Sequence, residues 1–104
     1  MHEATPTLSI ERAGDDEATF VDVFGLLIAE HREVACARLN VEKASRHCYS
    51  ILHEGMTFVA RNDAGEAIGT LGLKEVVFWY SDETALFDAF FYVKPEYRAQ
   101  GIGV

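Results

Sequence analysis

The residues best equipped for chemistry stand together at the C-terminal end of the sequence, Lys94-Pro95-Glu96-Tyr97-Arg98-Ala99-Gln100-Gly101-Ile102-Gly103-Val104. Glycine at 101 and 103 allows unusual backbone angles and lets a ligand approach the main chain without meeting a Cβ. Consecutive N–H groups in such a loop form a concavity that suits phosphate, and Arg98 adds a positive charge beside it. Two other phosphate loops do not fit these residues. A Walker A loop needs Gly-Lys-Ser/Thr, which is absent. A dinucleotide fingerprint needs a third glycine three residues past Gly103 and belongs after the first strand of its unit. Here the loop follows a fourth strand.

That strand is the run Leu86 to Val93, apolar except for Asp88, and Pro95 ends it. A run so apolar predicts burial on both faces, as at the centre of a sheet. Upstream, Thr7 to Arg12 alternates as a first strand with Leu8 and Ile10 on one face. Gly14-Asp15-Asp16-Glu17 supplies an N-cap and an acidic first turn. Phe20, Val23, Phe24, Leu27, Ile28 and His31 then form an apolar stripe on a helix reaching about Ala35. Gly25 inside it costs roughly 1 kcal/mol relative to alanine. Asn40 caps a second helix with the stripe Val41, Ala44, Cys48, Ile51 and Leu52, an ion pair between Glu42 and Arg46, and Gly55 as its stop. The period then changes to two: a strand over Met56 to Arg61, a turn at Asn62-Asp63-Ala64-Gly65, and a long return strand from Ala67 to Tyr80. Gly69 and Gly72 in that return strand predict a bend or a close backbone approach. The order is β-α-α-β-β-β, with Phe24, Leu27, Leu52, Phe58, Phe87 and Phe91 expected in the core.

The 104 residues are 49% apolar and 25% charged, which suits one domain with a single small core. Nine basic against seventeen acidic residues give a net charge of −8, so neither nucleic acid nor an anionic membrane is expected as the main partner. No apolar run is long enough for a transmembrane helix, and Met1-His2-Glu3-Ala4-Thr5-Pro6 has neither the basic nor the apolar region of a signal peptide. Residues 1–6 are expected to be a loose end. Cys36 and Cys48 have no CxxC spacing and read as reduced thiols of a cytoplasmic protein.

With these elements placed, the sequence resembles the GNAT superfamily of N-acetyltransferases. Their signature Arg/Gln-x-x-Gly-x-Gly/Ala is met by Arg98, Gly101 and Gly103, and Val93-Lys94-Pro95-Glu96-Tyr97 matches the usual lead-in from the fourth strand. The β-α-α-β-β-β order matches the family's N-terminal half. The resemblance spans residues 7–104, and its specific part is 86–104. It implies an α/β (α+β) fold, mainly an antiparallel sheet with two helices. It also implies acetyl-CoA as donor, a primary amine as acceptor, direct transfer in a ternary complex, and no metal. Main-chain groups of Phe91, Tyr92 and Val93 would hold the pantetheine and thioester. Backbone amides of Arg98, Ala99, Gln100, Gly101, Ile102, Gly103 and Val104 would hold the pyrophosphate.

In the family a long helix, a fifth strand, another helix and two more strands follow the loop, whereas this sequence reaches only Val104. The expectation is a single N-acetyltransferase domain over 1–104 that lacks its C-terminal half, either as a fragment or completed from elsewhere. Alone, it is expected to be catalytically silent and to aggregate or pair through the uncovered strand 86–93, as a homo-oligomer or with another chain. The alternative function is a non-catalytic acyl-CoA-binding or interaction fragment.

Asp88 is the weak candidate for catalysis. Buried in its strand, its carboxyl would have a raised pKa and could take an amine proton; at a pleat edge it would only bond a neighbouring backbone group. A bulge near Phe90 to Val93 would change the face it serves. Glu30 and Glu33 could attract a cationic amine, or simply be a solvated face. His47 and His53 are not at i, i+4 and make no good metal pair. His31 reads as a half-buried structural residue. Phe78, Trp79 and Tyr80 with Phe90, Phe91 and Tyr92 read as core, with pocket lining second.

Overall fold

The computed structural model of the chain describes residues 8–34 and 36–100, and the side chains up to Arg98. The expectations for residues 1–6, Thr7, Ala35 and Gly101 to Val104 lie outside the described residues. The element order is β1 (Ser9–Arg12), α1 (Glu17–Val34), α2 (Val41–Glu54), β2 (Met56–Arg61), β3 (Ala67–Val77) and β4 (Thr84–Val93), followed by a 3-10 helix, Pro95–Gln100. The strands form one antiparallel sheet in the order β1-β2-β3-β4, with the helices packed on one face.

Local chemistry fixes the element ends. The Asp16 carboxylate accepts from the Thr19 N–H at 3.1 Å and the Thr19 hydroxyl at 2.8 Å, which caps α1. The Asn40 side chain accepts from the Lys43 N–H at 3.0 Å and caps α2, and the Gly55 N–H closes it on Ile51. Gly55 is there for space rather than for a left-handed turn, because a Cβ would press into the carbonyls of Leu73 and Ile51. The β2–β3 turn does need a glycine. Gly65 has φ +80°, and Asn62 Oδ1 accepts from the N–H groups of Ala64 and Glu66.

The core lies between the sheet and the helices, around Val23, Leu26, Cys48, Ile51, Leu52, Val59, Phe90 and Tyr92. Leu26, absent from the predicted stripe, is among the most buried residues of α1 at 2% exposure. Val41, expected on the apolar stripe, is exposed because α2 has not yet reached the sheet at its first residue, and Ile10 is exposed on the side without helices. β3 ends at Val77 rather than Tyr80, and Trp79 and Tyr80 of the expected aromatic core stand in the exposed turn beyond it.

β4 departs most from expectation. It pairs only with β3 and lies at one end of the sheet rather than in its centre. Phe91 is 44% exposed because it faces away from the helices, whereas Phe87, opposite Lys74 on the Phe90 side, is 47% exposed because it lies outside the cluster that the helices pack against. The register pairs Gly72 with Phe90 but Leu73 with Asp88, so Ala89 is an extra residue and β4 carries a bulge there. Gly72 makes room for the bulge, since a Cβ would collide with the Phe90 ring.

A titratable contact ties the end of α2 to the loop ahead of α1. His53 Nδ1 lies 2.6 Å from an Asp15 carboxylate oxygen. The hydrogen bond to Asp15 raises His53 above 6.5, and the same bond holds Asp15 below 3.8. The histidine contribution is complete below 6.5 and fades as pH climbs through the raised value. The aspartate contribution is complete above 3.8 and fades as pH falls through the lowered one. The stabilisation of wild type over His53→Asn is therefore expected to be greatest between these limits and to shrink above neutral pH. Both groups are exposed, so the effect is small. Thermal melts of the two proteins from about pH 5 to about pH 9 check it, and a constant difference across that range would exclude the ion pair as the cause.

Candidate acyl-donor site

The site is built on the outer edge of β4. The Lys94 N–H donates to the Ile68 carbonyl at 2.9 Å, so Lys94, Tyr92 and Phe90 bond toward β3. By the alternation of an antiparallel ladder, Phe91 and Val93 turn their N–H and C=O groups the other way, to the edge that no described strand covers. Such an edge can hydrogen-bond an extended ligand as if it were another strand. On the face away from the helices, Ile10, Phe58, Leu71, Phe91 and Val93 line a shallow apolar cavity of about 350 Å³.

The 3-10 helix after β4 is held from two sides. The Tyr97 N–H donates to the Lys94 carbonyl, and its hydroxyl oxygen accepts from Asn62 Nδ2 at 3.1 Å, which pins it to the β2–β3 turn. On the other side, Arg98 Nη1 and Nη2 meet Glu33 Oε1 and Oε2 at 2.9 and 3.2 Å. Arg98 Nε donates to the Val93 carbonyl at 2.9 Å, and the guanidinium carbon lies 5.5 Å from the Tyr92 ring centre. The Tyr92 hydroxyl also donates to Glu33 Oε2, at 2.9 Å. The hydrogen bonds from Arg98 and Tyr92 hold the Glu33 carboxyl below its ordinary value. Burial, reinforced by Glu33, raises the Tyr92 phenol, so it remains a donor at neutral pH.

These contacts revise several sequence readings. Arg98 does not stand as a free charge beside the loop, because its guanidinium is paired with Glu33. Glu33 is more than a solvated acid, and Glu30 is partly buried with its carboxyl raised, first by burial and then by Glu33. Asp88 is exposed, so of its two readings the buried one is not met. The bulge at Ala89 turns it to the Leu73 side, away from the helices. Of the three residues that the resemblance assigns to the thioester, Phe91 and Val93 turn main-chain groups to the uncovered edge, while those of Tyr92 bond to β3. Ala99 and Gln100 continue the 3-10 helix, and Gly101, Ile102, Gly103 and Val104 lie outside the described residues. His31 is half-buried, with Nε2 donating to the Ala37 carbonyl at 2.9 Å. Both cysteines are free thiols, and burial pushes Cys48 up to about 11, too high for a nucleophile at neutral pH. Among the described residues no three His, Cys, Asp or Glu side chains gather to hold a metal ion, and no helix is long and apolar enough to cross a membrane. Sequence reasoning missed the Glu33 pairing, and no local signal marks it, because its partners lie 59 and 65 positions away.

A search of curated proteins found no match. Among solved structures, the chain is similar to an aminoglycoside acetyltransferase from an uncultured soil metagenomic sample, in complex with sisomicin. The two are 22% identical with a TM-score of 0.64, over 92% of this chain and 62% of that one. It is also similar to an aminoglycoside N-acetyltransferase in complex with CoA, at 16% identity and TM-score 0.71, over 98% of this chain and 65% of that one. A third is ribosomal-protein-alanine N-acetyltransferase from Brucella melitensis biovar Abortus 2308, at 17% identity and TM-score 0.64, over 92% and 64%. At such identities the likeness establishes the fold, and this chain spans 62–65% of the length of these structures. The profile of the Acetyltransferase (GNAT) family matches residues 20–104, which include β4 and the Arg98 segment. The chain belongs to the GNAT acetyltransferase family.

Proposed function

We propose that this chain supplies the acyl-donor half of an acetyl-CoA-dependent N-acetyltransferase that acetylates a primary amine of a small molecule or a protein. The observation that carries the reading is the open edge of β4 at Phe91 and Val93, running directly into the Arg98-x-x-Gly101-x-Gly103 loop. The pantetheine would bond to that edge, and the pyrophosphate to the backbone amides of 98–104. The relatives with bound CoA and sisomicin, and the one named for a ribosomal protein, support a coenzyme A donor and leave both acceptor classes open. The free thiols Cys36 and Cys48 support a reducing, cytoplasmic location.

The chemistry asked of the site is modest. The amine lone pair attacks the thioester carbonyl carbon, the C–N bond forms, and a backbone donor stabilises the developing oxyanion. The C–S bond then breaks. The amine gives up one proton and the departing thiolate takes one. Asp88, on the exposed side of the bulge, is the candidate to receive the amine proton through water.

Calorimetric titration with coenzyme A, paired with a thiol-release assay on acetyl-CoA with aminoglycoside and peptide amines, tests the reading. Gly101→Val is expected to weaken coenzyme A at least tenfold, because its Cβ intrudes where a phosphate must meet the backbone. Unchanged affinity in that variant would remove the basis for the site. Coenzyme A binding without thiol release from any amine would favour a module that binds the ligand and transfers nothing.

A further inference from the structure

A single exposed ion pair contributes little. The contact between Glu33 and Arg98 is built differently. Both carboxylate oxygens face the two terminal nitrogens of the guanidinium, at 2.9 and 3.2 Å, in the forked geometry that makes arginine–carboxylate pairs directional. The third arginine nitrogen, Nε, is spent on the Val93 carbonyl at 2.9 Å. The plane rests against Tyr92, whose hydroxyl returns to the same Glu33 oxygen. One carboxylate thus joins the end of α1, the end of β4 and the 3-10 helix that carries the chain toward Gly101.

Two consequences follow for a ligand on the β4 edge. Arg98 occupies one of the outward carbonyls, so the Val93 N–H and the Phe91 groups remain to bond an extended chain. With its charge matched by Glu33, Arg98 also does not stand as a free cation for phosphate. We propose that Glu33 is a positioning residue for the acyl-donor site, holding Arg98 so that it caps the Val93 carbonyl and fixes the 3-10 helix against the end of β4. The inference rests on the donor-site reading above and adds a residue from α1 to it.

The test compares wild type with Glu33→Ala, Arg98→Ala and the double variant in the intact protein. Hydrogen exchange is followed over residues 91–98, coenzyme A affinity is measured by calorimetry, and KM is determined separately for acetyl-CoA and acceptor. Each single variant is expected to speed exchange over 91–98 and to weaken coenzyme A about tenfold. The double variant should be no weaker than either single one, and the change should appear in KM for acetyl-CoA rather than for the acceptor. Glu33→Gln, which keeps the shape of the side chain but not its charge, serves as a milder variant should Glu33→Ala unfold. Tighter coenzyme A binding in Glu33→Ala would overturn the proposal by making Arg98 a phosphate ligand that Glu33 restrains. Additive losses, or unchanged exchange over 91–98, would overturn it as well. Loosened exchange in the variants with no coenzyme A binding by wild type would support the clamp and sink the donor-site reading.

Discussion

Gly72→Val is expected to destabilise the protein by about 2–3 kcal/mol, the upper range for forcing extra volume into a packed core. Gly72 lies opposite Phe90, and a Cβ built on it collides with the outer edge of the Phe90 ring. The ring cannot simply swing away, because Phe90 is 8% exposed and packs in the core with Val23, Leu26 and Tyr92. Nor can the strand easily shift, since the bulge at Ala89 fixes the local register. A small domain has only about 5–15 kcal/mol in total, so the loss is a large share of its stability. Urea unfolding measures it. Adding Phe90→Leu should make the double variant less destabilised than the sum of the two single changes, because the smaller side chain gives back the contested space. An unfolding midpoint equal to that of wild type would mean that Phe90 does not cover Gly72.

The second large effect concerns association. Leu86, Phe87 and Phe91 are exposed on β4, and the outer edge of that strand has no partner among the described strands. Each large apolar side chain kept in water forgoes roughly 1.5–3 kcal/mol, and an open strand edge invites pairing with another chain. Residues 1–104 are therefore expected to sediment as dimers or larger species. The driving force is smaller than the whole apolar run suggests, because Phe90, Tyr92 and Val93 are already buried. Placing a charge on the strand, as in Phe87→Lys with Phe91→Lys, should shift the population toward monomer. A wild-type 104-residue chain that stays monomeric at tens of micromolar would contradict this expectation.

The candidate acyl-donor site was legible in the sequence as a segment but not as a constellation. Val93 to Gly103 carries its own signature in consecutive residues, and the family match rests on positions that include it. Glu33 could not be read in the same way. It sits on an amphipathic helix among other acids, and nothing within several residues of it differs from a solvated face. Its role comes from Arg98 and Tyr92, which reach it only once β4 is laid beside α1. Asp88 illustrates the opposite error. An aspartate in an apolar run reads as buried if the strand alternates without interruption, and one extra residue at Ala89 reverses its side.

The sequence by itself determined the order of elements, both helix caps, the Asn62–Gly65 turn and the loop that names the family. These follow from periodicity, capping and turn chemistry, which act within a few residues of the chain and so are written locally. Only the tertiary structure decided that β4 lies at one end of the described sheet with half its large apolar residues uncovered, where its bulge falls, and that the charge of Arg98 belongs to Glu33. Those depend on which strand lies next to which and on residues distant in sequence. An apolar run carries the same letters at the centre of a sheet and at its margin, and the neighbour that tells them apart is supplied by the fold.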